Sequence, residues 1–185
     1  MVAAGQGGLG VSETLVQTAR LQMRPMTRAD APDFRDLVIQ PDVARMLFLF
    51  PLDWTLPEAE AFLQDWAWRG TLRFRLALIR EGKWAGWIGV SDGEVPELFY
   101  ALRPEFAGQG LAREAVAGFA AFLFDRFAPI ALTAGVFTDN PASARVLQVC
   151  GFALMGEAMH ASRGRLAPAP AQVYRLANPL LAVSK

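Results

Sequence analysis

Three short apolar runs, FRLALIRE from Phe74, WAGWIGVS from Trp84 and ELFYALRP from Glu97, follow one another with only EGK and SDGEVP between them. Connections this short suit antiparallel hairpins, because a parallel crossover needs about a dozen residues or more. The chain from Phe74 to Pro104 therefore reads as a three-stranded meander. Before it, TARLQMRPM from Thr18 alternates like a strand, with Leu21, Met23 and Pro25 on one face and Pro25 marking an edge or strand end. Asp30 with Pro32, and Thr55 with Pro57 and Glu58, are helix starts for APDFRDLVI and LPEAEAFLQDWAW.

After the meander the pattern predicts a helix to about Phe127, a strand IALTAGVF and a capped helix from Pro141 to about Cys150. FALMGEAM and QVYRLAN then read as strands, with ASRGRLAPAPAQ as a surface loop between them. The order is β-α-α-β-β-β-α-β-α-β-β. A strand, helix, strand unit behind a meander requires a parallel crossover beside antiparallel pairs. The expected class is α/β of the α+β type: a mixed, mostly antiparallel twisted sheet of about seven strands with helices on both faces.

Composition narrows the function. The chain has 185 residues, 53% of them hydrophobic, which suits a single domain; residues 1–17 read as a disordered tail and 18–185 as the domain. Lys plus Arg equal Asp plus Glu at 18 each, so no overall field draws the chain to nucleic acid or to an anionic membrane. The longest apolar runs fall short of the ~20 residues of a membrane span. The single cysteine, Cys150, excludes an internal disulfide and suits the cytoplasm. With His160 the only histidine, neither a Ser-His triad nor a typical zinc site can be assembled, and no metal is expected. The GQGGLG of the tail mimics a dinucleotide loop, but no strand precedes it.

The stretch EFAGQGLAREAV, from Glu105 to Val116, puts Gly108 and Gly110 between a strand and an apolar helix. Glycine there serves a tight turn, a close packing contact, or an anion drawn to the unpaired N–H groups and partial positive charge of the helix start. A Walker loop would need a Lys-Ser or Lys-Thr after the glycine, and a dinucleotide loop would need glycine where Arg113 stands. ATP and NAD chemistry are therefore not expected from this turn.

The GQGLA turn after a strand, taken with FTDNPASARVLQVCGF from Phe137 to Phe152, resembles the GNAT superfamily of acetyl-CoA-dependent N-acetyltransferases. More narrowly, it is similar to the Rim-type branch, which acetylates N-terminal amines of ribosomal proteins. The resemblance spans roughly residues 18–178 and implies acetyl-CoA as cofactor. The family's pyrophosphate turn maps onto Ala107, Gly108, Gln109, Gly110, Leu111 and Ala112, with Ala107 departing from the usual Gln or Arg and Arg113 able to compensate. It further implies backbone pairing of the pantetheine arm near Tyr100 and Leu102, and cofactor proximity for Asn140, which is also an N-cap before Pro141.

Amide formation needs a group to take the amine proton and one to help the sulfur leave. Glu97 is the first candidate base, with Glu94 and Asp92 as alternatives; the competing reading is a solvated carboxylate at a strand end. Ser143 matches the family serine, as hydrogen-bond donor to the thioester oxygen or sulfur, or simply as a first-turn backbone partner. Leu147 stands where many members carry a tyrosine acid. Tyr174 reads as packing and Cys150 as structural. Phe48, Phe50 and Trp54 of MLFLFPLDW are candidates for an acceptor pocket, or else core or dimer contacts. Arg163 and Arg165 are candidates for the opposite wall, facing an acidic acceptor. The expected acceptor is a protein N-terminus, a small amine or an antibiotic, and the expected state a monomer or homodimer. The alternative is a catalytically idle acyl-CoA-binding protein.

Overall fold

The structure, a computed structural model, describes residues 13–181. Among the described residues, eight strands form two sheets. In the first, β1 (Val16–Gln17), β2 (Gln22–Pro25), β3 (Phe74–Arg80), β4 (Lys83–Val90) and β5 (Leu98–Leu102) are neighbours in chain order and antiparallel. In the second, β6 (Ala131–Phe137) and β7 (Ala153–His160) flank β8 (Ala169–Ala177). The expected crossover from β5 to β6 exists, but its parallel pairing is one bridge between Glu97 and Thr133, where the Thr133 N–H donates to the Pro96 carbonyl at 3.0 Å. The mixed sheet of the sequence reading is thus two antiparallel sheets hinged at one point.

Strand alternation divides the core. From β3, Phe74, Leu76 and Leu78 face a cluster with Leu98 and with Phe119 and Leu123 of α4 (Leu111–Phe127). Ala77 faces the opposite cluster, where Trp87 meets Phe34 and Leu37 of α1 (Ala31–Val38), the loop residue Phe50, and Leu63 of α3 (Leu56–Asp65). Because both faces are covered, FRLALIR reads as an almost continuous apolar run. Among the described residues, no helix is long and apolar enough to cross a membrane.

Several expectations shift. Val16 and Gln17, assigned to the tail, form β1 against Gln22 and Met23, because Val16 is an apolar residue with a core cluster to join. Residues 1–12 of the tail, GQGGLG among them, lie outside the described residues. The Asp30 carboxylate does not cap α1. It accepts from the Thr27 N–H at 2.7 Å and pairs with Arg24 at 2.7 Å, closing a preceding short helical turn. Thr55 and Glu58 do form the expected capping box at α3. A short helix, α2 (Pro41–Ala44), was not expected. Strand β8 begins at Ala169 inside the expected loop, since Ala169 and Pro170 pair with His160 and Met159.

Candidate active site

The Glu97 and Arg103 backbones bond to β4, through Ser91 N–H to Glu97 O and Arg103 N–H to Ala85 O, both at 2.9 Å, while the Pro96 carbonyl faces β6. In an antiparallel ladder successive residues turn their backbone groups to opposite sides. Tyr100 and Leu102 therefore turn theirs toward β6, which beyond the Glu97–Thr133 bridge does not pair with them. A cavity of about 1140 Å³ occupies this gap and reaches both faces of the first sheet. One side is lined by Gly108, Gly110 to Arg113, Asn140 and Ser143, the other by Phe48, Phe50, Glu97 and His160.

On the first side, Gly108 and Gly110 sit at φ of +71° and +75°, the left-handed region that other residues enter at a cost. A Cβ on Gly108 would meet nothing within 4 Å, so conformation, not packing, calls for glycine there. No side chain caps α4, and the bond from Glu114 N–H to Gly110 O is the first inside it, leaving the N–H groups of Leu111, Ala112 and Arg113 without helical partners. Arg20 braces the turn, donating to the Gln109 carbonyl at 2.9 Å and pairing with Glu114 at 2.7 Å. The Gln109 side chain is held away from the cavity by Arg80 and the Glu105 carbonyl. Arg20 and Arg80 were missed in the sequence, since nothing local links them to a turn some 30 to 90 residues away.

Asn140 caps α5 (Pro141–Val149) as expected, accepting from the Ser143 N–H at 3.2 Å. The Ser143 hydroxyl itself lies 2.8 Å from the Tyr100 hydroxyl. Burial pushes the Tyr100 phenol up to about 12, with the Ser143 bond opposing, so it stays protonated across the neutral range. Tyr100 was expected to act through its backbone; its side chain is the unforeseen element, set opposite Ser143 by the register of β5. Leu147 is fully buried.

On the other side, Glu97 is half-buried and not the solvated strand-end carboxylate of the competing reading; Asp92 and Glu94 are exposed in the turn before it. Its Oε1 reaches to 3.1 Å from where a Gly135 Cβ would stand, beside the Phe48 ring. Burial raises the carboxyl above its ordinary range, while a backbone hydrogen bond from Gly135 and the nearby His160 pull the other way. His160 packs its ring 5.3 Å from that of Phe48.

Phe48 and Phe50 line the cavity, but Trp54 does not. It is 8% exposed and packs edge-on to Phe34 and Phe62, because a large ring gains more from the α1–α3 core. Arg165 is not free to meet an acceptor, since it pairs with Asp139 at 2.7 Å and donates to the Arg45 carbonyl at 2.6 Å. Arg163 is exposed and outside the lining, with only its backbone tied to Phe48. Tyr174 is buried, donating to Gln172 at 2.8 Å, and the Cys150 thiol is pushed up by burial, in keeping with packing roles.

The family model of an acetyltransferase (GNAT) domain matches residues 20–153. Among solved structures, a GNAT-family acetyltransferase from Bacillus anthracis is similar with a TM-score of 0.75 at 18% identity, covering 88% of this chain and 98% of that one. The ribosomal L7/L12 alpha-N-protein acetyltransferase RimL, in complex with coenzyme A, gives 0.73 at 16%, covering 89% and 98%. Spermidine N-acetyltransferase from Vibrio cholerae, in complex with CoA and spermine, gives 0.75 at 14%, covering 87% and 97%. At such identities the likeness is one of fold. No curated protein matches the sequence.

Proposed function

Because the chain belongs to the GNAT acetyltransferase family, we propose that it is an acetyl-CoA-dependent N-acetyltransferase, acting on a primary amine by direct attack in a ternary complex. The observation that carries the reading is the cavity through the β5–β6 gap, with an uncapped helix start on one side and a half-buried carboxylate on the other. The residues fit the cofactor. The free N–H groups of Leu111 to Arg113 suit a pyrophosphate, with Arg113, which lines the same cavity, supplying positive charge in place of the side chain absent at Ala107. The backbone groups of Tyr100 and Leu102 suit the amides of the pantetheine arm.

When bound, acetyl-CoA supplies an activated acetyl thioester. Glu97 takes the proton that the attacking amine gives up as the C–N bond forms, and a raised carboxyl is better matched to that task than an ordinary one. Ser143, hydrogen-bonded to Tyr100, holds a hydroxyl proton for the sulfur as the C–S bond breaks. That arrangement answers the missing tyrosine at Leu147, and it weighs against the idle acyl-CoA binder. A modest base suits an α-amine, whose pKa lies near 8, better than a lysine-type amine near 10.4. A Rim-like protein N-terminus is such an acceptor, and so is a small molecule that carries an α-amine. Calorimetric titration tests the cofactor side: acetyl-CoA binds saturably to the wild type, and Gly110→Glu abolishes binding without unfolding the chain. Absence of binding by the wild type would remove the reading.

A further inference from the structure

Arg75 is the second residue of β3, 1% exposed, and its Nε and Nη1 have no hydrogen-bond partner. Among the described residues no carboxylate pairs with it. Five rings enclose the guanidinium: Trp66 at 4.0 Å, Phe62 at 4.4 Å, Phe99 at 4.5 Å, Trp87 at 5.0 Å and Phe50 at 5.8 Å. Ring faces stabilise the charge but accept none of the in-plane N–H bonds. The indole Nε1 of Trp87 is likewise buried and unpartnered. Desolvation holds the arginine well below its ordinary pKa.

The Arg75 and Trp87 side chains belong to the lining of the same cavity as Glu97. Register explains why: Arg75 is opposite Gly89 and Gly89 opposite Phe99, so these positions share a face, and Glu97 is two residues from Phe99 on that same face. Gly89 has no room for a side chain, since a Cβ there would stand 2.7 Å from Arg75 Cγ and 2.5 Å from the Phe99 ring. The arginine arm thus crosses β4 over a bare backbone toward Phe99. Its N–H groups and that of Trp87 are donors only, so the group that satisfies them must offer acceptor atoms, and the uncompensated positive charge asks for an anion.

We propose that the acceptor carries a carboxylate, bound by Arg75 and Trp87, on the same small skeleton as the amine that Glu97 deprotonates: an amino-carboxylate. The assignment of the amine to Glu97 rests on the acetyltransferase reading; the carboxylate site does not. The same chemistry can come from a free amino acid or from an acidic residue opening a polypeptide.

Two measurements test it. In a thermal-shift titration, free L-amino acids raise the melting temperature of the wild type, their amides do not, and Arg75→Met, which keeps the length and apolar contacts of the arm, loses the shift. Because no acetyl-CoA is present, this result stands or falls independently of catalysis. In steady-state acetylation, kcat/KM for the carboxylate substrate exceeds that for the matched amide by tenfold or more, and in Arg75→Met the ratio falls toward one. Asp- and Glu-initiated peptides compared with Asn- and Gln-initiated ones identify a polypeptide source by the same ratio. If Arg75→Met does not fold, the wild-type shift and ratio still decide. Equal shifts and equal rates for carboxylates and amides, free or peptide-borne, would overturn the proposal and leave Arg75 a structural cation held by rings.

Discussion

Glu97 is where the energetics of folding and the proposed chemistry meet. Burial raises its pKa in the fold above that of the unfolded chain. Its contribution to stability is therefore full at acid pH, where the carboxyl is protonated in both states, and is lost as pH rises through the folded-state value. Glu97→Gln removes that loss. The variant melts above the wild type at neutral pH and the difference shrinks on acidification, as calorimetric scans across pH will show; a variant less stable at neutral pH would mean that the carboxylate is held by a stronger partner. Tyr100→Phe deletes the phenol that bonds Ser143. It should lower kcat about tenfold, less than the ~10²-fold or more of a typical proton-transfer group, because a thiol near pKa 8.5 leaves with little help. An unchanged kcat would take Tyr100 out of the chemistry. Of these residues, Glu97 was legible in the sequence as a carboxylate at the head of a strand. The Tyr100 hydroxyl was not, because its partner lies 43 positions away and only the packing of α5 brings them together.

At the scale of elements, local signals were legible wherever they were self-contained. Asn140-Pro141 announced α5, Thr55 with Glu58 announced α3, and the spacing of the three runs announced the meander. Elements whose existence depends on a neighbour escaped: β1 forms because β2 is there to pair with, and Ala169–Gln172 extend β8 because β7 lies alongside. Asp30 illustrates a related limit. It is a good cap by type, but its carboxylate is drawn into the Arg24 pair and the preceding turn. The cap of α5 gives a prediction: Asn140→Ala removes the acceptor of the Ser143 N–H, costs about 1 kcal/mol and lowers the melting temperature by about 2–4 °C for a chain of this size. It should also raise the KM for acetyl-CoA by loosening Ser143 and the helix start. A melting temperature equal to that of the wild type would show that the first turn of α5 is held by other contacts.

The molecule as a whole is two antiparallel sheets that touch at one bridge and separate beyond it, and the proposed reaction takes place in that separation. The class and the glycine turn before α4 were legible in the sequence. The hinge was not, since pairing between β5 and β6 depends on long-range packing and not on any run of residues. The geometry makes a backbone prediction: in the free protein the amides of Tyr100 and Leu102, which face the gap beyond the bridge, exchange with solvent faster than those of Phe99 and Ala101, and acetyl-CoA protects the former pair. Uniform protection along β5 without ligand would contradict the open edge. The most direct test of the account is turnover by the wild type and Glu97→Gln, measured as free thiol released from acetyl-CoA over a panel of α-amines, with acetyl-CoA affinity measured in parallel. The account predicts turnover by the wild type, a loss of about 10²-fold or more in kcat in the variant, and an unchanged Kd for acetyl-CoA. Equal turnover by the two proteins, or none by the wild type with any amine while acetyl-CoA still binds, would contradict it.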